Sequence, residues 1–92
     1  MTTIVLALLL FNSSPTYTKD IKPIFKRACS ACHNQSTPAR NWMSYKTAFS
    51  KRNAILNRTT VKKDMPPSYW PEKLSKEDLD LIKNWASSGA AE

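Results

Sequence analysis

Cys29-Ser30-Ala31-Cys32-His33 is the stretch on which the reading of this chain turns. Two thiols three positions apart, followed at once by an imidazole, form the C-x-x-C-H pattern by which a c-type haem is attached. On a helical turn the thiols reach two vinyl groups, while the imidazole faces the iron. Two other readings of C-x-x-C fit less well. A structural zinc site needs four ligands. Beyond Cys29, Cys32 and His33 the sequence contains no further Cys or His, so only carboxylates could complete the set. A thiol–disulfide redox pair is expected beside a βαβ pattern, and no stretch of this chain carries a strand-like alternation.

The residues before the motif lead into it. Asp20 is expected as an N-cap, with Pro23 in the first turn where its missing N–H costs nothing. Ile21, Ile24, Phe25 and Ala28 recur at i, i+3, i+4 and i+7, which predicts a helix whose apolar face runs straight into Cys29. Past the motif, residues 34–41 form a polar turn region around Pro38. Arg40 and Trp42 are placed to reach a haem propionate, by charge and by indole N–H, although a solvated Arg40 and a core Trp42 are equally simple readings.

Between Ser44 and Asn57, Tyr45, Ala48, Phe49, Ile55 and Leu56 recur at helical spacing and predict a second amphipathic helix. Periodicity is then lost around Met65-Pro66-Pro67. A residue before proline is driven into extended geometry, so Met65 belongs to a loop, and Pro66 and Pro67 stiffen it. With a single histidine, bis-histidine ligation is excluded, and Met65 is the expected sixth iron ligand. Met43 is its competitor, but it stands only ten residues past His33. Trp70 is expected to shield the methionine side of the haem. The last helix is signalled by Ser75 as N-cap with Asp78 three residues on, by a Leu74/Leu79 staple, by the stripe Leu79, Ile82, Trp85 and Ala86, and by Gly89 as its left-handed stop.

Taken together, Cys29-Ser30-Ala31-Cys32-His33, Met65-Pro66-Pro67, and Leu74-Ser75 through Trp85 to Gly89-Ala90 resemble a short bacterial class I cytochrome c over Tyr17 to Ala91. The resemblance implies an all-α fold of three or more helices around one haem c, with N- and C-terminal helices crossing. It implies covalent attachment through Cys29 and Cys32, with His33 proximal and Met65 distal to the iron. The span from His33 to Met65 is shorter than in the better-known soluble members, leaving fewer residues to cover the haem edge.

The 92 residues carry 14 Lys and Arg against 7 Asp and Glu, a net charge of +7. Two ionised propionates would lower it to about +5. The basic residues are scattered without a long run, so nucleic-acid binding has no specific support, and an acidic redox partner protein is the expected contact. Ile4 to Phe11 is an apolar run of eight residues, too short for the roughly 20 that span a bilayer, and matches an export signal. Residues 1–14 are therefore expected to be cleaved, or else retained as a short anchor that would associate the chain with a membrane. Residues 15–92 form the single domain. Haem attachment of this kind takes place outside the cytoplasmic membrane in bacteria, so the resemblance also implies a periplasmic or exported protein.

No paired acid–base or nucleophile–base arrangement suggests an enzyme. The expected role is a one-electron carrier. The alternatives are a haem subunit relaying electrons within a complex, or an open-site haem protein for gas sensing or peroxide chemistry.

Overall fold

The computed structural model describes residues 14–92, and the expectation for Ile4 to Phe11 lies outside them. Among the described residues the chain is all helix and connection, without a strand, and none of its helices is long and apolar enough to cross a membrane.

The first helix starts earlier than its sequence suggests. A wide π turn, Tyr17–Ile21, runs without interruption into α1, Lys22–Ala28. Thr16, not Asp20, is the N-cap: its hydroxyl accepts from the Lys19 N–H at 3.3 Å. Asp20 acts instead as the reciprocal partner, its carboxylate accepting from the Thr16 N–H at 2.9 Å. This is the exchange of a capping box with the acid one position later than usual, as a turn of i→i+5 closure requires. Pro23 accounts for the width. Its ring would strike the carbonyl four residues back, and it has no N–H to offer there. The apolar stripe predicted on this helix is buried as expected at Ile21, Ile24, Phe25 and Ala28, and it extends back to Tyr17.

The middle of the chain is two helices rather than one. α2, Tyr45–Ser50, is capped by Ser44, and α3 is Arg52–Leu56. Between them Lys51 leaves helical geometry at φ −106°, ψ 12°. The Phe49 carbonyl released by the break accepts from the Arg52 guanidinium at 2.8 Å, and the same guanidinium lies 4.2 Å over the Phe49 ring. α3 then opens into a second π turn, Asn57–Val61, four residues past the predicted end. Here the Thr59 and Thr60 hydroxyls donate to the carbonyls of Ile55 and Leu56. Side chains that bond back in this way compete with the i→i+4 ladder and widen the turn.

α4, Lys76–Ser87, carries the full capping box between Ser75 and Asp78. It ends at Gly89, whose φ of 103° is the left-handed stop read from the sequence. Ile82 and Trp85 are buried as predicted, whereas Leu79 is only half covered. The surprise on this helix is Asp78, which is 9% exposed. It caps α4 and also pairs with Arg27 at the far end of α1. Tyr17, at the start of that helical stretch, packs its ring 6.1 Å from Trp85, near the end of α4. The N- and C-terminal helices therefore run in opposite senses, meeting at the Tyr17–Ile21 turn and tied at their other ends by the Arg27–Asp78 pair.

Tyr17, Ile21, Ile24, Phe25, Trp42, Ala48, Ile55, Ile82, Trp85 and Ala90 form one core. Tyr17 is its polar pivot, donating from its hydroxyl to the Trp42 carbonyl at 2.6 Å. The chain end closes over it. The N–H groups of Tyr17 and Thr18, unsatisfied at a helix start, donate to the carbonyls of Ala91 and Glu92, each at 2.8 Å. The Trp85 indole donates to Ala91 at 2.9 Å and the Tyr45 hydroxyl to Ala90 at 2.7 Å.

Burial pushes the Tyr17 phenol up to about 12 from its ordinary 10. Tyr17→Phe is expected to lower the unfolding free energy by about 0.5–1.5 kcal/mol, the usual net worth of a hydrogen bond. A phenol that ionises later in the folded state stabilises fully below pH 10 and loses that contribution as pH rises toward 12. The difference between wild type and Tyr17→Phe in denaturant titrations should therefore shrink across that interval.

Candidate functional site

The helical ladder of α1 does not stop at Ala28. The Cys29 N–H donates to Phe25 at 2.8 Å, and the His33 N–H donates to Cys29 at 2.9 Å. Cys29, Cys32 and His33 are thus at i, i+3 and i+4 on one turn, the spacing that places side chains on a common face. The following loop is tied by its own polar groups. Asn34 and Thr37 bond reciprocally, the Asn34 N–H to the Thr37 hydroxyl at 3.1 Å and the Thr37 N–H to the Asn34 carbonyl at 2.8 Å. The Asn34 amide also donates back to the Ser30 carbonyl at 2.7 Å.

This tight loop delivers a short 3₁₀ turn, Pro38–Arg40, against the imidazole. The Arg40 carbonyl lies 3.0 Å from His33 Nδ1. A carbonyl can only accept, so Nδ1 carries the proton and Nε2 keeps its lone pair. The Trp42 ring stacks on the imidazole at 4.8 Å between centroids and 19° between planes. Burial, aided by the positive charges of Arg40 and Arg58, lowers the His33 pKa, against the opposing effect of the Arg40 hydrogen bond. The ring is held neutral, in one tautomer, in one plane.

A cavity of about 670 Å³ opens beside this turn. That volume falls within the range of about 300–1,000 Å³ of small-molecule and cofactor pockets. Its walls come from three parts of the chain. Ala28, Cys29, Ala31, Cys32 and His33, with Thr37, Ala39, Arg40 and Trp42, form one. Lys51, Ala54, Ile55, Arg58 and Thr59, from α3 and the turns on either side of it, form the second, and Met65, Pro66, Pro67, Tyr69 and Trp70 the third. All eight side chains singled out in the sequence, Cys29, Cys32, His33, Arg40, Trp42, Met65, Pro66 and Trp70, line this one space. Met43 does not; it packs against the core.

The middle-helix wall was not read from the sequence, although its signal was there. Positions 51, 54, 55, 58 and 59 repeat at helical spacing, but Ala54 carries little hydropathy and Lys51 and Arg58 read as scattered charge. Arg40 and Trp42 serve His33 by a carbonyl and a stacked ring. Trp70 holds a buried indole N–H with no partner among the described residues. Every charged residue in the lining, Arg40, Lys51 and Arg58, is cationic.

No three His, Cys, Asp or Glu side chains stand together as a metal-binding group among the described residues. The two cysteines are not joined to each other, and burial pushes the Cys29 thiol up to about 11. A redox dithiol needs the opposite shift, toward thiolate.

No family model, curated protein or solved structure matches this chain.

Before any cofactor is attached, the two thiols should differ in reactivity. Cys32 is exposed, whereas at pH 8 only on the order of one Cys29 thiol in a thousand is ionised. Limited alkylation followed by peptide mapping should find Cys32 modified well before Cys29, with the gap closing in denaturant.

Proposed function

We propose that this chain is a mono-haem c-type cytochrome that carries single electrons, with the haem linked through Cys29 and Cys32 and its iron held between His33 and Met65. The observation that carries the reading is the convergence, on one apolar cavity, of two thiols, an imidazole with its Nε2 free, and a thioether.

The residues suit the group they would hold. The lining is mostly apolar, as the faces of a macrocycle require, and its charged members are all cations, as two carboxylates require. The orphaned indole N–H of Trp70 is a buried donor in need of an acceptor, and a propionate would supply one. The thiols would hold the group by two thioether bonds, each formed as an S–H adds across a vinyl group.

When bound, the haem supplies an iron centre that cycles between ferrous and ferric states. The protein contributes coordination and confinement. His33 is fixed before binding by the Arg40 carbonyl and the Trp42 ring, an arrangement that orients a ligand and raises its basicity. Met65 is presented from a loop stiffened by Pro66 and Pro67. Met paired with His raises the potential of haem iron. A filled and rigid ligand set changes little on electron transfer, and the basic exterior favours transient docking with an acidic redox partner.

The visible spectrum of the haem-loaded protein tests the reading. A low-spin ferric form with a methionine-to-iron charge-transfer band, and a ferrous form indifferent to carbon monoxide, are expected. High-spin iron or ready carbon monoxide binding in the wild type would replace the carrier with an open-site haem protein. Met65→Ala should abolish the band, admit carbon monoxide and lower the midpoint potential.

Trp70→Phe tests the indole separately. A hydrogen bond to a charged acceptor is worth about 1.5–3 kcal/mol, so its loss should raise the propionate ionisation seen in the pH dependence of the potential by about 1–2 pH units. An unmoved titration would assign that indole to packing alone.

A further inference from the structure

Met65 enters the cavity from a loop whose attachments lead back to one residue. The Arg58 carbonyl accepts from the Asp64 N–H at 3.1 Å and from the Met65 N–H at 3.3 Å. The Arg58 side chain reaches the same place, with Nε donating to Asp64 Oδ1 at 2.7 Å. The chain between them closes tightly: Lys62 donates to the Asn57 carbonyl at 2.9 Å, and Lys63 takes a left-handed φ of 56° to turn back. Arg58 in turn belongs to the cavity wall.

From this geometry we infer that Arg58 and Asp64 form a clasp that positions Met65, and so sets how readily its thioether leaves its place in the cavity. The inference rests on the proposed role of Met65 as sixth ligand. Two adjacent lysines, Lys62 and Lys63, sit exposed inside the loop. Asp64, the residue next to Met65, is tied by its carboxylate to the π turn that follows α3. Releasing the clasp enlarges the set of loop conformations, and the thioether spends less time where the iron would take it. A competing ligand then binds more tightly in proportion to the fraction of molecules with Met65 displaced. The pair is about half exposed, at 44% for Arg58 and 46% for Asp64, so dissolved salt can screen it.

Imidazole, a neutral ligand, reports on this in the ferric haem-loaded protein, because it can bind only when Met65 moves away. Asp64→Asn and Arg58→Ala should each raise imidazole affinity about twofold to fivefold, the scale of an exposed ion pair. Because both act through one contact, the double variant should gain less than the product of the two. Raising salt from about 20 mM to about 500 mM should carry the wild type toward the Asp64→Asn value while leaving that variant nearly flat. A merely structural role for the pair would shift thermal unfolding without this convergence.

Equal affinities and equal salt responses in wild type and Asp64→Asn, with Met65→Ala binding imidazole tightly, would overturn the clasp and leave the ligand assignment standing. Wild type binding imidazole as readily as Met65→Ala would overturn both. Should Asp64→Asn not load haem, the wild type decides alone: an affinity indifferent to salt overturns the clasp.

Discussion

The Arg40 carbonyl accepts a hydrogen bond from His33 Nδ1, and much of the chain between Cys29 and Tyr45 is arranged to keep that contact in place. An imidazole is useful as a ligand only when it is neutral, presents the right nitrogen and cannot rotate. The carbonyl fixes the nitrogen, the stacked Trp42 ring fixes the plane, and burial removes the proton that would compete. Asn34 and Thr37 hold the loop short enough for Arg40 to return. Trp42 is held in its turn by Tyr17, whose hydroxyl binds the Trp42 carbonyl from within the core. The pivot between the two terminal helices and the orientation of the candidate ligand are therefore linked through a single peptide group.

That coupling suits so small a domain. Short chains bury too little apolar surface to separate a structural core from a functional cavity. Here Ile55 serves both, lying in the core and in the cavity wall. The break at Lys51 lets one stretch of chain manage this, with Ala48 of α2 turned into the core and the following turns free to border the cavity. Small side chains at Ala28, Ala31, Ala39 and Ala54 keep the space open.

The legible parts of the sequence were those governed by local chemistry. The capping box at Ser75 and Asp78, the left-handed stop at Gly89 and the apolar stripe through Phe25 each declare themselves within a few residues, and each is present. The start of the first helix was misread because Asp20 is a good N-cap by type. Only the wide turn forced by Pro23 makes Thr16 the cap and Asp20 its partner. The continuation past Asn57 was hidden because threonines lower helix propensity, and their hydroxyls sustain a π turn only once the carbonyls of Ile55 and Leu56 are in place. The second duty of Asp78, the orphaned indole of Trp70 and the two tasks of Arg58 were not legible at all. Each depends on residues brought near by the fold, at sequence distances where no spacing rule applies.

The closure of the chain end over the first turn also has a temporal side. During synthesis Tyr17 and Thr18 emerge long before Ala91 and Glu92, whose carbonyls accept hydrogen bonds from their N–H groups. Until residues 90–92 arrive, the first turn has only water for those bonds, and the Trp85 indole and the Tyr45 hydroxyl lack the carbonyls they donate to. The turn bearing Cys29, Cys32 and His33 therefore gains its fixed framework only after residues 90–92 are in place.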